Sequence, residues 1–148
     1  MNYSAFYNNL AMNAFAISAV LEKAKFLSHT QIALVLPIVA HRQMVGKLAH
    51  GSFRFVSFEQ YLIENIGFFS NFNERYTASI TSTVNALQLL IELGVVELKN
   101  NGAVTLSKLA FNKAMGKRAE RISRASTNIA ALVSGNPEIF YLNARIEL

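Results

Sequence analysis

The residues of this sequence that could carry out chemistry are few and poorly spaced for it. The chain has no cysteine and no aspartate, so all nine of its acidic residues are glutamates. This composition excludes Ser-His-Asp triads, Cys-His pairs and metal sites built on two aspartates. Glu59 and Glu64 are separated by five positions, so on a helix their side chains would diverge. The inventory predicts a protein that is not an enzyme.

Histidine and glycine spacing gives the same indication. His29, His41 and His50 do not show the HExxH pattern of a zinc site, and Gly46 with Gly51 does not form a phosphate-binding loop. A single histidine after an apolar run is typical of a packed or hydrogen-bonded helix residue. We therefore expect no metal, no cofactor and no small-molecule substrate.

A basic stripe is the clearest candidate for binding. Between residues 108 and 124 six basic residues accompany one acid, Glu120, on what reads as a long helix over residues 108–133. The stripe is either a solvated helix face that keeps an apolar chain soluble, or a surface that contacts DNA phosphates without sequence preference. Under the second interpretation the candidate DNA-binding residues are Lys113, Lys117, Arg118, Arg121 and Arg124.

The segment before the stripe predicts a helix followed by a hairpin. The apolar residues of this helix recur at helical spacing and polar residues occupy the opposite face. The apolar set is Ile80, Val84, Leu87 and Ile91, and the polar set is Thr81, Asn85, Gln88 and Glu92. Gly94 ends the helix, and two β-prone runs flank Asn100-Asn101-Gly102, which is a strong hairpin signal. A helix that runs into a hairpin is typical of a winged helix-turn-helix, but a reading face without Arg or Lys favours protein docking over specific DNA recognition.

The N-terminal half predicts several packed helices. Residues 4–25 read as a helix that is apolar nearly all round and therefore buried on several sides. Ser28 is expected to cap a second helix, and Ser57 with Gln60 forms a capping-box pattern for another. Pro37 interrupts an apolar run, so we expect a break before Leu36 and a continuous helix from there to Ala49.

Composition indicates a chain that is covered by partners. Hydrophobic residues make up 52% of the 148 residues, charged residues only 16%, and the mean hydropathy is +0.27. The longest apolar run, residues 32–40, is too short for a membrane-spanning helix, which needs about 20 residues. Residues 1–22 contain no Lys or Arg to begin a secretory signal, so a cytoplasmic location is expected. The net charge of +5 permits contact with nucleic acid but is a weak signal on its own.

We therefore predict a mainly α protein with a small β-hairpin. Its core is expected to be winged helix-turn-helix-like, with an N-terminal helical part and a long C-terminal helix. The sequence shows no linker and reads as a single domain over residues 1–148. Its expected parts are residues 1–75 (helical), 76–107 (helix plus hairpin) and 108–148 (long basic helix and tail).

The order of these features resembles a known family. The motifs that carry the resemblance are "YNNLAMNAFAI", "LPIVAHRQMVGKL", "FEQYLIEN", "NERY", "TVNALQLLIELGVVEL" and "KRAERI…IFYLNARI". Together they resemble the middle component of three-component ABC-ATPase conflict systems, a broad group that includes the LmuC-like accessory subunit of Lamassu.

The resemblance implies a non-catalytic subunit of an anti-phage complex. Its partners would be an SMC-like ABC ATPase and a nuclease-like effector, with double-stranded DNA as a further candidate and no membrane. The apolar segment that begins at Pro37 would pack both internally and against a partner. The candidate partner-binding residues are Pro37, His41, Arg42, Lys47 and Arg75. The alternative is a stand-alone winged-helix transcription regulator, which would be a symmetric dimer on a palindromic site.

Overall fold

The computed structural model describes residues 9–148 and shows a mainly helical protein with a small antiparallel sheet. In the N-terminal half, one strand separates the first helix from a series of short ones. These elements are α1 (Leu10–Ala24), β1 (Phe26–Ser28), α2 (His29–Ile32), α3 (Val35–Val39), α4 (Arg42–Leu48) and α5 (Phe58–Glu64). The later elements are a 3₁₀ turn (Ile66–Phe69), α6 (Phe72–Glu92), β2 (Val96–Lys99), β3 (Gly102–Thr105), a 3₁₀ turn (Lys113–Met115), α7 (Lys117–Val133) and α8 (Pro137–Asn143). The mainly α fold class predicted from the sequence is confirmed.

Helix α1 is the central element of the core. It packs against α6, α7 and α3, and most of its residues are buried, as its all-round apolar character predicted. Asn9 begins the helix by accepting a hydrogen bond from the Met12 amide. Residues 4–8 of the predicted helix lie outside the described residues.

The hairpin forms as predicted and gains a third strand. Strands β2 and β3 flank Asn100 and Asn101, and β1 pairs with the other edge of β3, which gives the strand order β1-β3-β2. A Cβ at Gly102 would collide with the Leu27 carbonyl oxygen and the ring of Phe26, so the close approach of β1 to β3 requires glycine there. The winged helix-turn-helix interpretation stays a prediction.

The apolar segment around Pro37 is more broken than expected. Ser28 caps α2 in a capping box with Gln31, as predicted, and a turn separates α2 from α3. The predicted continuous helix to Ala49 is wrong, because the backbone leaves the helix at Ala40 and His41 caps a new helix, α4. Pro37 lies inside α3 and is buried.

The long C-terminal helix also begins later than predicted. Gly116 has a φ of 97°, a left-handed conformation that ends the 3₁₀ turn and starts α7 at Lys117. Lys108 and Lys113 therefore lie outside this helix. The tail packs back on the body as expected: Phe140 of α8 is buried and stacks on Phe58 with ring centroids 4.7 Å apart.

Candidate functional site

A groove between two parts of the chain is lined by three arginines. It lies where α3 and α4 meet the first turns of α7 and has a volume of about 270 Å³. Arg42 enters from α4, and Arg118 and Arg121 enter from α7. The apolar part of the lining includes Val39, Val45 and Ile122, all of which are buried. The groove therefore offers several cationic groups around a greasy floor.

Helix starts position two of the three arginines. The Nδ1 atom of His41 accepts a hydrogen bond from the Met44 amide at 3.1 Å, which begins α4 so that Arg42 is its first residue. Gly116 begins α7, so Arg118 lies in its first turn. The Nδ2 group of Asn128 donates to the Leu48 carbonyl at 2.8 Å and ties α7 to the end of α4. The groove is thus fixed by helix caps and by this cross-link between its two sides.

No acidic side chain lines the groove among the described residues. Glu120 is bonded to Arg124 at 2.7 Å, and at about 100° per residue both lie on a different side of α7 from Arg118. Desolvation, and then the charge of Arg121, lower the pKa of the Arg118 guanidinium. The positive end of the α7 dipole adds to the same field. The groove is electrostatically prepared for an anion.

A buried cation lies behind this surface. Arg75 is 1% exposed, donates to the Phe68 carbonyl oxygen at 2.8 Å and lies 5.1 Å from the centre of the Phe72 ring. Desolvation, and then the charge of Arg75, lower the pKa of His41. The neutral form of His41, which can accept the Met44 hydrogen bond, is therefore favoured at neutral pH.

Only one of the five predicted partner-binding residues lies on an open surface. Arg42 is exposed and lines the groove. Pro37 and Arg75 are buried inside the chain, so the structure leaves them no surface that a partner could touch, and we correct the prediction for these two. His41 is half-buried as a helix cap, and Lys47 donates to the Oδ1 atom of Asn65 at 2.6 Å. These four residues support the groove's surroundings and do not form a common surface.

The predicted DNA-binding stripe is divided. Arg118 and Arg121 turn into the groove, whereas Arg124 pairs with Glu120 elsewhere on α7. Lys113 is exposed on the 3₁₀ turn before Gly116, and Lys117 is the first residue of α7. The expected continuous stripe from Lys113 to Arg124 is wrong, because Gly116 breaks the helix that was to carry it. Gly116 was visible in the sequence and was the signal for this break.

Helix α6 exposes an apolar strip that the sequence placed in the core. Ile80, Val84 and Ile91 are 45%, 57% and 38% exposed, although their spacing predicted the buried face. The helix instead buries a face rotated from it, whose residues include Phe72, Tyr76, Ser79, Thr83, Ala86 and Leu90. The exposed strip is therefore a second candidate contact surface.

The described residues hold no group of three or more His, Asp or Glu side chains that could bind a metal ion. Within the same part of the chain, no helix is both long and apolar enough to cross a membrane. Both Glu59 and Glu64 are exposed.

Comparison with known proteins gives one family. Residues 5–143 match the family model described as ABC-three component (ABC-3C) system Middle Component 3. The search of curated proteins and the search of solved structures gave no match.

Proposed function

We propose that this chain, which belongs to the Middle Component 3 family of ABC-three component systems, bridges its partner components as a non-catalytic subunit. The partners would be an SMC-like ABC ATPase and a nuclease-like effector, and the assembly would act against phage. The narrower resemblance to the Lamassu accessory subunit stays a prediction, as does the cytoplasmic location.

The observation that carries the proposal is the arginine-lined groove. Three cations share one concave site with no acid in its lining, and clustered like charges oppose folding unless another molecule neutralises them. A bridging subunit also needs a second surface of different character. The exposed strip of Ile80, Val84 and Ile91 on α6 meets that need, because solvated monomers rarely expose a contiguous apolar row.

Co-purification from cells that express all three components tests the bridge. The double variant Arg42→Glu with Arg121→Glu should lose one partner and retain the other. The double variant Ile80→Glu with Val84→Glu should show the reverse pattern. The bridge is refuted if both double variants lose the same partner, or if both retain everything.

Matched controls distinguish lost contacts from lost folding. Arg124→Glu changes a charge on α7 outside the groove, and Thr81→Glu adds a charge on the exposed polar face beside the apolar strip. Both controls should keep both partners. Circular dichroism melts of all variants should show that their helices persist at the temperature of the co-purification.

Direct DNA contact is not part of this proposal. The cations of the stripe are split among a groove, an ion pair and a 3₁₀ turn, so they do not form a continuous track for a phosphate backbone. A stand-alone regulator fits poorly as well, because the strip on α6 presents apolar side chains where a reading helix carries base-contacting ones. Electrophoretic shifts of a 20-base-pair duplex with the assembled complex test this directly. A shift abolished by Lys113→Glu with Lys117→Glu would restore the DNA interpretation.

A further inference from the structure

The arginine-lined groove carries information about what enters it, beyond the fact that it attracts anions. A surface built to hold a nucleic-acid backbone projects its cations outward, where they follow a row of phosphates. Here Arg118 and Arg121 instead border a concavity whose floor is formed by Val39, Val45 and Ile122. Apolar side chains contribute nothing to a solvated phosphate, but they bind an apolar side chain well. The occupant must therefore be acidic and apolar at once.

The size of the groove narrows the choice further. Its volume of about 270 Å³ lies at the lower end of the roughly 300–1,000 Å³ of pockets that bind small molecules and cofactors. A space of this size holds one or two side chains. Guanidinium groups match the planar carboxylate of Asp or Glu with two parallel hydrogen bonds, and such pairs are strongest where water is partly excluded.

The first turns of α7 supply an independent argument. Acidic residues stabilise the beginning of a helix and basic residues oppose its dipole, yet α7 begins with Lys117 and Arg118 and carries Arg121 in the next turn. Its single acid there, Glu120, is paired with Arg124. A carboxylate supplied from outside would provide the negative charge that this helix start lacks.

We infer that the groove binds a segment of a partner protein in which an Asp or Glu side chain stands beside a Leu, Ile or Phe side chain. The apolar side chain rests on Val45 and Ile122, and the carboxylate lies between Arg42 and the two arginines of α7. This inference deepens the proposed function, since the segment belongs to one of the bridged partners.

Peptide selection on the full chain tests the inference without knowledge of the partner. A random dodecapeptide library is selected on the wild-type chain after depletion on the Arg42→Glu, Arg121→Glu double variant. The expected consensus places Asp or Glu within one or two positions of Leu, Ile or Phe. Enriched peptides that lack an acid, or the absence of any enrichment, would overturn the inference.

A selected peptide then allows a quantitative test. Changing its acid to the matching amide, or changing Arg121 to Gln, should weaken binding on the order of tenfold to a hundredfold, which is the usual effect of losing a charge-assisted pair. Arg42→Lys should retain part of the affinity, because a lysine keeps the charge but loses the fork. The control Arg124→Gln should bind as wild type does. Equal affinity of all four proteins would show that the peptide binds elsewhere.

Duplex DNA provides the competing outcome. A 20-base-pair duplex at about 0.15 M salt should not displace the selected peptide. Displacement by DNA that is lost in the Arg118→Gln, Arg121→Gln variant would make the groove a phosphate site and overturn the inference. Because selection uses the chain alone, its success is independent of the bridge, and co-purification alone decides whether the chain joins two partners.

Discussion

Replacing Arg121 with glutamate should stabilise the isolated chain while it weakens partner binding. Arg121 follows Lys117 by four residues and Arg118 by three on α7. Like charges at these spacings destabilise a helix by about 0.2–0.5 kcal/mol per pair, and opposite charges stabilise it by a similar amount. The substitution reverses both pairs, which gives about 0.8–2 kcal/mol before losses. Screening, and the less favourable order of base before acid, reduce this to about 1 kcal/mol.

Thermal unfolding followed by circular dichroism measures this effect. For a chain of 148 residues, about 1 kcal/mol corresponds to a rise in Tm of roughly 3–4 °C. The rise should shrink between about 0.05 M and 0.5 M salt, because it arises from partly exposed charges. A fall in Tm at low salt would refute the reasoning, since it would mean that Arg121 holds the fold together. Such a result would also remove the argument that its charge is kept for a ligand.

Arg124 provides the matched comparison on the same helix. Its ion pair with Glu120, at 2.7 Å, is exposed and contributes about 0.3–0.5 kcal/mol. In Arg124→Glu this pair is lost, and the new attraction to Arg121 offsets part of the loss. The free energy of unfolding should therefore stay level or fall by about 0.5 kcal/mol. The two charge reversals, three residues apart, should differ in the sign of their effect on stability and in their effect on partner binding.

Two further predictions concern the helix caps and close contacts. Because burial and Arg75 lower the pKa of His41, the unfolded chain binds this proton more readily, and the free energy of unfolding should decrease as the pH falls below the ordinary value of 6.5 towards the folded-state pKa. His41→Asn keeps a capping oxygen and should flatten this part of the dependence in urea unfolding at about pH 5 and pH 7; an unchanged slope would contradict it. Gly102→Ala should destabilise the chain by about 1–3 kcal/mol because its Cβ would meet the Leu27 carbonyl. Gly46→Ala, in open space on α4, should stabilise it by about 0.4–1 kcal/mol, and equal urea midpoints for the two alanine variants would count against both.

Features that depend on neighbouring residues could be predicted from the sequence. The cap at Ser28, the cap at Ser57 and the hairpin beside Gly102 each follow from side chains a few positions apart. Even here the box at Ser57 is incomplete, since the Gln60 side chain bonds Glu64 and not the cap. Local chemistry predicts where an element starts more reliably than where each side chain goes.

The buried face of α6 shows what the sequence alone does not contain. A count of hydrophobic spacing selects the stripe with Ile80 and Val84, because these are large apolar side chains. The fold buries Ser79, Thr83 and Ala86 instead, and small side chains of this kind allow a neighbouring helix such as α1 to approach closely. Which stripe faces the core depends on where α1 lies, and this is a property of the tertiary structure.

The groove was missed for a similar reason. Arg42 and Arg121 were each singled out from the sequence, but for different roles, because they lie far apart in the chain. Only the packing of α4 against α7, fixed by the Asn128 hydrogen bond, makes them one site. Neither charge counts nor helical periodicity can join residues across such a separation.

The position of β3 between β1 and β2 determines when this subunit can finish folding during synthesis. The ribosome completes β1 (Phe26–Ser28) roughly 75 residues before it delivers β3 (Gly102–Thr105), so for that interval the first strand has no partner in the sheet. An unpaired strand beside a largely apolar helix is an opportunity for aggregation. Translation of this chain next to its partner components, from one message, would shorten the time during which that edge is open to the wrong neighbour.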